Sequence, residues 1–574
     1  MKFFSLSSTL PGLPMRFTTL AALAPLLALS ACVTLSPPVA PLEINLVALN
    51  DFHGNLDSST FSYTSAAGKA DTVRAGGIDT LSGALAAWRR EDPQLIFVGN
   101  GDLVGASPAM SSMWADEPSI VAMNMLGMKA SSVGNHEFDQ GRLELLRQQN
   151  GGCDSPRPDK ACQYRPDYRG AQFTYLAANV IDSSTGKPFM PAYRIEQAHG
   201  IKVAFIGAVL RDTASVVVPS GIAGLQFIDE ADAINRVLPE LRAQGVGVFV
   251  VLLHQGGNTI DAVDQTDCNH LTGPVVAVAQ RIDPAVRLVI SGHSHQGYLC
   301  RVGGKLVTQA EMGGHMLSRI KLSIDPASNR VRDVSASNVV MQQGAYAPDP
   351  AVSAYLQAVK QRSKAELSRP VARIASSTVS NDPAGSGESA LGDVVADSTL
   401  FGARASGAQI AFMNNGGIRT NLEAGAGSVA SLGQTQMVLP FGNTLVLMDL
   451  SGAQIRRLLE QQWQDAEASD GGLLQVSDGF SYRWDSQRPL GARVLPDSIK
   501  LHGVALDDRQ SYRVVANSFL AEGGDKFSIF AEGKARLDSG VRDIDALNDY
   551  LTDQARRGKP AGLATPAGRI QRAP

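Results

Sequence analysis

The sequence predicts a two-domain α/β protein, and three observations carry that prediction. At 574 residues the chain exceeds what one ordinary core organises. From residue 43 onward, short apolar runs bounded by Gly or polar residues alternate with helical stretches, the pattern of helices packed on a mainly β core. After residue 368 the texture changes: polar strand ends rich in His give way to Gly-rich loops and a second run of strand and helix signals.

Taken in order, Ile44–Leu49, Leu95–Val98, Lys202–Ile206, Val246–Leu253 and Leu288–Ile290 read as buried strands, because each is almost wholly apolar. Residues 79–90, 229–244 and 273–281 read as helices between them. Residues 349–366 form a polar helical stretch with few large apolar side chains, which reads as a connector. The divisions expected are 43–345, 346–368 for the connector, and 369–574. A hydrophobic fraction of 44% with 18% charged residues is that of a folded chain. The net charge of -4 carries no polybasic signature, so binding to a nucleic-acid duplex is not expected.

Residues 17–31 form an apolar stretch flanked by Lys2 and Arg16, the length of a signal-peptide core and short of a membrane span. It ends Leu29-Ser30-Ala31-Cys32, which resembles the bacterial lipoprotein box and implies that Cys32 is lipidated after export. A buried leader helix ending in Cys is the plainer alternative. Residues 33–42 are Pro-rich and read as a tether. Cys153, Cys162, Cys268 and Cys300 remain, an even number that suggests two disulfides and allows three connectivities. Cys153 and Cys162 bracket a short polar loop, which would leave Cys268 with Cys300.

Five polar clusters follow predicted strands: Asn50-Asp51-Phe52-His53-Gly54, Gly99-Asn100-Gly101-Asp102, Gly134-Asn135-His136-Glu137-Phe138-Asp139, His254, and Gly292-His293-Ser294-His295. Five of the nine His residues fall in them. Each cluster alone has an ordinary explanation, such as a solvated turn, a hydrogen-bonded core His or a helix cap. Together they form the donor set of a site for two divalent cations. Asp51 and His53 can face one ion, with His295 turning back to it. Asp102 can bridge two ions, and Asn135, His254 and His293 complete the second. Mixed N and O donors suit Zn, Mn, Fe or Co better than Ca.

In this order the motifs resemble the calcineurin-like metallophosphoesterases, and in their extended form the 5'-nucleotidase branch of that superfamily. Asn414-Asn415-Gly416-Gly417-Ile418-Arg419, Leu439-Pro440-Phe441-Gly442-Asn443 and Phe519-Leu520-Ala521-Glu522-Gly523-Gly524-Asp525 resemble the substrate loops of that branch. The resemblance implies an N-terminal metallophosphoesterase β-sandwich flanked by helices, a connector helix, and a C-terminal α/β substrate-binding domain. It implies that Phe441 and Phe519 sandwich a nucleobase, that Asp525 binds ribose hydroxyls, and that Asn414, Arg419 and Asn443 contribute to substrate binding. His136 is left outside the ligand set, to stabilise developing charge or protonate the leaving oxygen, with Asp139 orienting its imidazole.

The reaction implied is release of phosphate from nucleoside 5'-monophosphates outside the cytoplasm, by a protein lipid-anchored to the bacterial envelope, with UDP-sugar cleavage as an extension. A 2',3'-cyclic nucleotide phosphodiesterase or a nucleotide (NAD) pyrophosphatase would share the metal core. A non-catalytic nucleotide-binding surface lipoprotein is the reading of another class. Three departures from the family pattern bear on substrate. The last cluster ends in His295 where some relatives have Gln or Asn, Asn415 replaces a Gly, and residues 386–393 lack an Arg that some relatives carry. Arg404 is a candidate to replace that charge.

Overall fold

The computed structural model describes residues 41–217, 219–463 and 473–573. The leader, Cys32 and the tether up to residue 40 lie outside the described residues. The first strand, Leu42–Leu49, starts inside the expected tether, since its ladder with Met316–Asp325 extends back to Leu42.

Two sheets dominate the first domain. One runs in the order Arg330–Val340, Met316–Asp325, Leu42–Leu49, Ile96–Asn100, Ala130–Ser132, Thr174–Leu176. The other runs Thr266–Cys268, Gly297–Val302, Lys305–Ala310, Leu288–Ser291, Val248–His254, Ile201–Val209, Tyr193–Ala198. Leu42–Leu49, Ile96–Asn100 and Ala130–Ser132 are parallel, as are Ile201–Val209, Val248–His254 and Leu288–Ser291. Because strand side chains alternate between faces, Leu46 and Ala48 meet Phe205, Val250 and Leu252 between the sheets. Val47 and Leu49 instead pack outward against the Ile78–Glu91 helix. Ala204, Ile206 and Val251 pack outward under Glu230–Ala243 and Pro274–Arg281. Strands buried on both faces explain the near-continuous apolar runs. The result is a β-sandwich flanked by helices.

Besides Leu42, the strand read from Lys202 starts at Ile201, and two further strand starts differ from the sequence reading for a local reason. Val246 donates its N–H to the Leu241 carbonyl, closing the preceding helix, so the strand starts at Val248. Leu95 donates to Asp92 in a turn, so the next strand starts at Ile96.

The connector helix is Pro350–Leu367, with the Asp349 carboxylate accepting the Ala351 and Val352 N–H groups and Pro350 in its first turn. It packs on the first domain: Val352, Leu356 and Val359 join that core, and Trp114 donates its indole N–H to Ser363. The second domain is built on a five-stranded sheet, Leu474–Val476, Ile410–Asn414, Ser511–Asn517, Thr444–Ser451, Lys534–Arg542. The helices Ala390–Ala403 and Asp543–Arg556 pack together beside it. Disulfides join Cys153 to Cys162 and Cys268 to Cys300, the latter at facing positions on neighbouring strands.

Candidate active site

The parallel strands of both sheets end at one place, where open α/β sheets gather ligands. Asp51 and His53 follow Leu42–Leu49, Asp102 follows Ile96–Asn100, and Asn135 and His136 follow Ala130–Ser132. His254 is the last residue of its strand, and His293 and His295 follow Leu288–Ser291. Among the described residues, three groups of side chains are close enough to hold a cation: Asp51, His53 and His295; Asp102, His254 and His293; and His53, Asp102 and His136. Asp102 lies in two of them. Its Oδ2 is 3.0 Å from His254 Nε2 and 3.7 Å from His53 Nε2. Asn135 Oδ1 sits 2.9 Å from His293 Nδ1 and 3.2 Å from His254 Nε2.

Asp51, His53, Asp102, His293 and His295 all adopt left-handed backbone conformations, with φ between 45° and 72°. Such conformations cluster where side chains must be aimed at a common point. Gly134 permits the closest approach: a Cβ there would fall 2.1 Å from Asp102 Oδ1.

Neighbouring groups fix the ligand atoms. Nδ1 of His53 lies 2.9 Å from the Gly105 carbonyl and Nδ1 of His254 lies 2.8 Å from the Asn100 carbonyl. A carbonyl only accepts, so each Nδ1 carries the proton and each Nε2 is turned inward. Asp51 accepts the Asn50 amide at 2.7 Å and the His293 N–H at 2.9 Å. Burial lowers His293 to about 3 and His295 to about 4, helped by His254 and by Arg419 respectively, so both are neutral donors at physiological pH. Burial opposes the charge on Asp102, yet His254 and His136 outweigh it and hold that carboxyl well below the usual range. Imidazole and carboxylate oxygen donors converging in this way fit borderline divalent cations.

Beside the cluster, His136 Nδ1 lies 2.8 Å from Asp139 Oδ2. Burial works against the imidazolium, but Asp139 and Asp102 raise its pKa above the ordinary value. The His136 ring stacks on Phe441 at a centroid distance of 5.7 Å and 17° between planes. Phe441 therefore crosses from the second domain to the cluster of candidate ligands, and the Arg419 guanidinium lies over the same ring, 5.9 Å from its centroid. Asn414 donates its amide to Asp525 at 2.7 Å and accepts from Asn517 at 3.0 Å. A cavity of about 190 Å³ is lined by Asn135, His136, Asp139 and His293 from the first domain and by Asn414, Arg419, Phe441, Asn443, Phe519 and Asp525 from the second.

Arg404 is not among the lining residues. It is exposed beyond the C-terminal end of Ala390–Ala403, ~21 Å along that helix from its start. Asn415 turns away from the cavity to accept the Gln475 amide at 2.8 Å, and Gln475 also receives the Ser389 N–H.

The family model for calcineurin-like phosphoesterases matches residues 44–297, and that for the 5'-nucleotidase C-terminal domain matches 368–532. The chain belongs to the calcineurin-like phosphoesterases of 5'-nucleotidase type. Among its relatives, Endonuclease YhcR of Bacillus subtilis is 31% identical over 90% of the chain, and the chain spans 40% of that relative's length. The 5'-nucleotidase of Rattus norvegicus is 24% identical, covering 92% of this chain and 91% of the relative. The 5'-nucleotidase precursor of Thermus thermophilus is structurally similar, with a TM-score of 0.72 and 27% identity over 92% of this chain and 99% of its own.

Two features of this phosphoesterase escape a reading of motifs. Glu137 turns its carboxylate back under the ligand loops and accepts the N–H groups of Asp102 at 2.9 Å, Leu103 at 2.8 Å and Gly134 at 2.5 Å. It stands inside the Asn135-His136-Glu137 motif, so its place in the site is visible in the sequence and its partners are not. Val216 and Val217 of the first domain also line the cavity, beside Phe519 and Asp525. No sequence signal marks them, because only the docking of two domains brings them there.

Proposed function

We propose that this phosphoesterase is an exported hydrolase holding two divalent cations, which releases phosphate from nucleoside 5'-monophosphates. The observation that carries the proposal is the shared cavity, with the ligand cluster and His136 on one wall and Arg419, Phe441, Phe519 and Asp525 on the other. Asp51, His53 and His295 would hold one ion, Asn135, His254 and His293 the other, with Asp102 between them. Two such ions, drawn from Zn, Mn, Fe and Co, supply water activation and charge neutralisation at phosphorus.

The chain's own residues do the rest. Arg419 presents a fork of N–H donors to phosphoryl oxygens. His136, whose charged form Asp139 and Asp102 favour against the cost of burial, donates from Nε2 to the leaving ribose oxygen. Asp139 fixes the ring by accepting the Nδ1 hydrogen bond. Asp525, kept in place by Asn414, accepts ribose hydroxyls. Phe441 and Phe519 offer flat faces to a base, and Asn443 lies beside them.

The division into 43–345, connector 346–368 and 369–574 belongs to this proposal. So do export and anchoring through Cys32. Two disulfides are at home in an oxidising compartment, and a relative 29% identical is named Cell wall protein Lmo0130.

The deciding experiment is phosphate release from AMP by the purified protein, with and without EDTA, and again after Mn or Zn is restored. Metal-dependent release is expected. Release from UDP-glucose or a cyclic nucleotide but not AMP would overturn the substrate assignment. No turnover by metal-loaded protein would favour a binding lipoprotein.

A further inference from the structure

We infer that the disulfide-closed loop Cys153–Cys162 is a positioning element for the reaction centre, acting across the domain boundary through Asp159 and Arg542. The inference rests on the proposed function only for its kinetic readout.

The loop is anchored firmly on the first domain. Ser155 Oγ donates to Glu144 at 2.8 Å, Arg157 pairs with Glu144 at 2.8 Å, and the Cys162 N–H donates to Glu117 at 2.7 Å. Arg362 of the connector helix donates to the neighbouring Gln163 carbonyl at 2.8 Å. The disulfide closes the loop over a sequence separation of 9. Closure removes conformations that the free loop would sample, so its tip is preorganised.

That tip carries Asp159, whose carboxylate lies 3.3 Å from Arg542 of the second domain, a guanidinium also held by Asp545 of its own domain at 2.8 Å. Arg542 ends the Lys534–Arg542 strand and pairs with Thr444. The next residue, Asp543, donates its N–H to the Asn443 carbonyl at 2.8 Å. The ion pair therefore bears on the segment Phe441–Asn443, whose Phe441 ring stacks on His136. Gln140 adds a second tie, donating to the Phe441 carbonyl at 3.4 Å. Arg157, from the same loop, also lines the small gap between His136, Pro440 and Phe441. A single chain of contacts thus runs from the disulfide to the stacked pair at the reaction centre.

Both partners are well exposed, 42% for Arg542 and 61% for Asp159, so the pair is screened and its effect is modest. It acts on the approach of the second domain's loop and not on the chemistry, so KM is the parameter it moves.

The test compares the full protein with Asp159→Asn, Arg542→Gln and the double variant, together with Cys153→Ser/Cys162→Ser. AMP kinetics are read beside hydrogen exchange of the peptide spanning 439–443. Each single charge variant should raise KM for AMP about two- to five-fold with kcat within twofold, and should speed exchange at 439–443. The double variant should be no worse than Arg542→Gln alone, because that change already breaks the pair. Additive effects in the double variant, or unchanged exchange in both single variants, overturn the inference. If the wild type hydrolyses p-nitrophenyl phosphate but not AMP, the substrate proposal falls, and the exchange data still decide this one. The cysteine variant should match the single charge variants, and normal KM and exchange in it would remove the disulfide from the mechanism.

Discussion

Nε2 of His53 stands 3.1 Å from Nε2 of His295, although the two residues come from loops on different sheets. That is the separation of two neighbouring donors on one ion with bonds of ~2.1 Å. His295→Gln would exchange a nitrogen donor for an oxygen donor at this position. It should shift metal preference from Zn toward Mn, as read by metal analysis after exposure to equal concentrations of both. An unchanged ratio would show that His295 does not touch an ion.

His136→Asn removes the proton donor and keeps a side chain of similar reach. Turnover of AMP should fall by about 10²–10⁴ while metal content stays at the wild-type level. Loss of metal in this variant would instead make His136 a ligand, as its closeness to His53 and Asp102 permits.

Glu137→Gln should lower metal affinity about 10–100-fold. A carboxylate can accept the three N–H groups of Asp102, Leu103 and Gly134, whereas an amide must point an NH₂ group at one of them. Competition with a chelator of known affinity reads the change, and wild-type affinity would refute it.

Phe519→Ala removes one proposed stacking face. With stacking worth about 1–3 kcal/mol per base, KM for AMP should rise at least several-fold while turnover of p-nitrophenyl phosphate stays within twofold. Gly524→Ala should act in the same direction, because a Cβ there would lie 2.4 Å from the Phe519 ring. Equal losses on both substrates would place Phe519 in the fold and not in base recognition.

Asp543 provides a pH-dependent signature in stability. Burial raises its pKa from 3.8 to about 7. The folded state therefore holds this proton where the unfolded chain has released it, so the group favours folding at low pH. That contribution is lost as pH climbs from about 4 through about 7. Asp543→Asn should unfold at a higher temperature than wild type at pH 8, with a smaller difference at pH 5. An equal difference at both values would rule out the titration.

Much of this architecture is legible in the sequence because the strands are buried on both faces. Leu46, Val47 and Ala48 must all be apolar, and such a run is visible without knowing its partners. The ligand set is legible for a related reason: Asp51, Asp102 and His293 each come just after such a strand, whereas Asn135 follows Ala130–Ser132, which carries no apolar run and shows only through its motif. The disulfide pairs follow from count and spacing. Contacts between residues far apart in sequence are not legible. Glu137 acts on the backbone of residues 102, 103 and 134, and backbone amides leave no trace in a sequence. Asp159 and Arg542 are 383 residues apart, and nothing local to either names the other. Arg404 illustrates the converse, since its charge suggests a role that its place at the far end of a helix denies.

The left-handed backbone at Asp51, His53, Asp102, His293 and His295 sets durability against work. Glycine would occupy each of those positions with less steric opposition, by about 1 kcal/mol apiece. At Asp51 and Asp102 that relief is outweighed, because glycine would leave the buried N–H groups of His293 and His136 without their carboxylate acceptors, at about 1–3 kcal/mol each. The bonds that hold the strained loops in place are thus the ones that aim the reaction centre, and neither can be relaxed without the other.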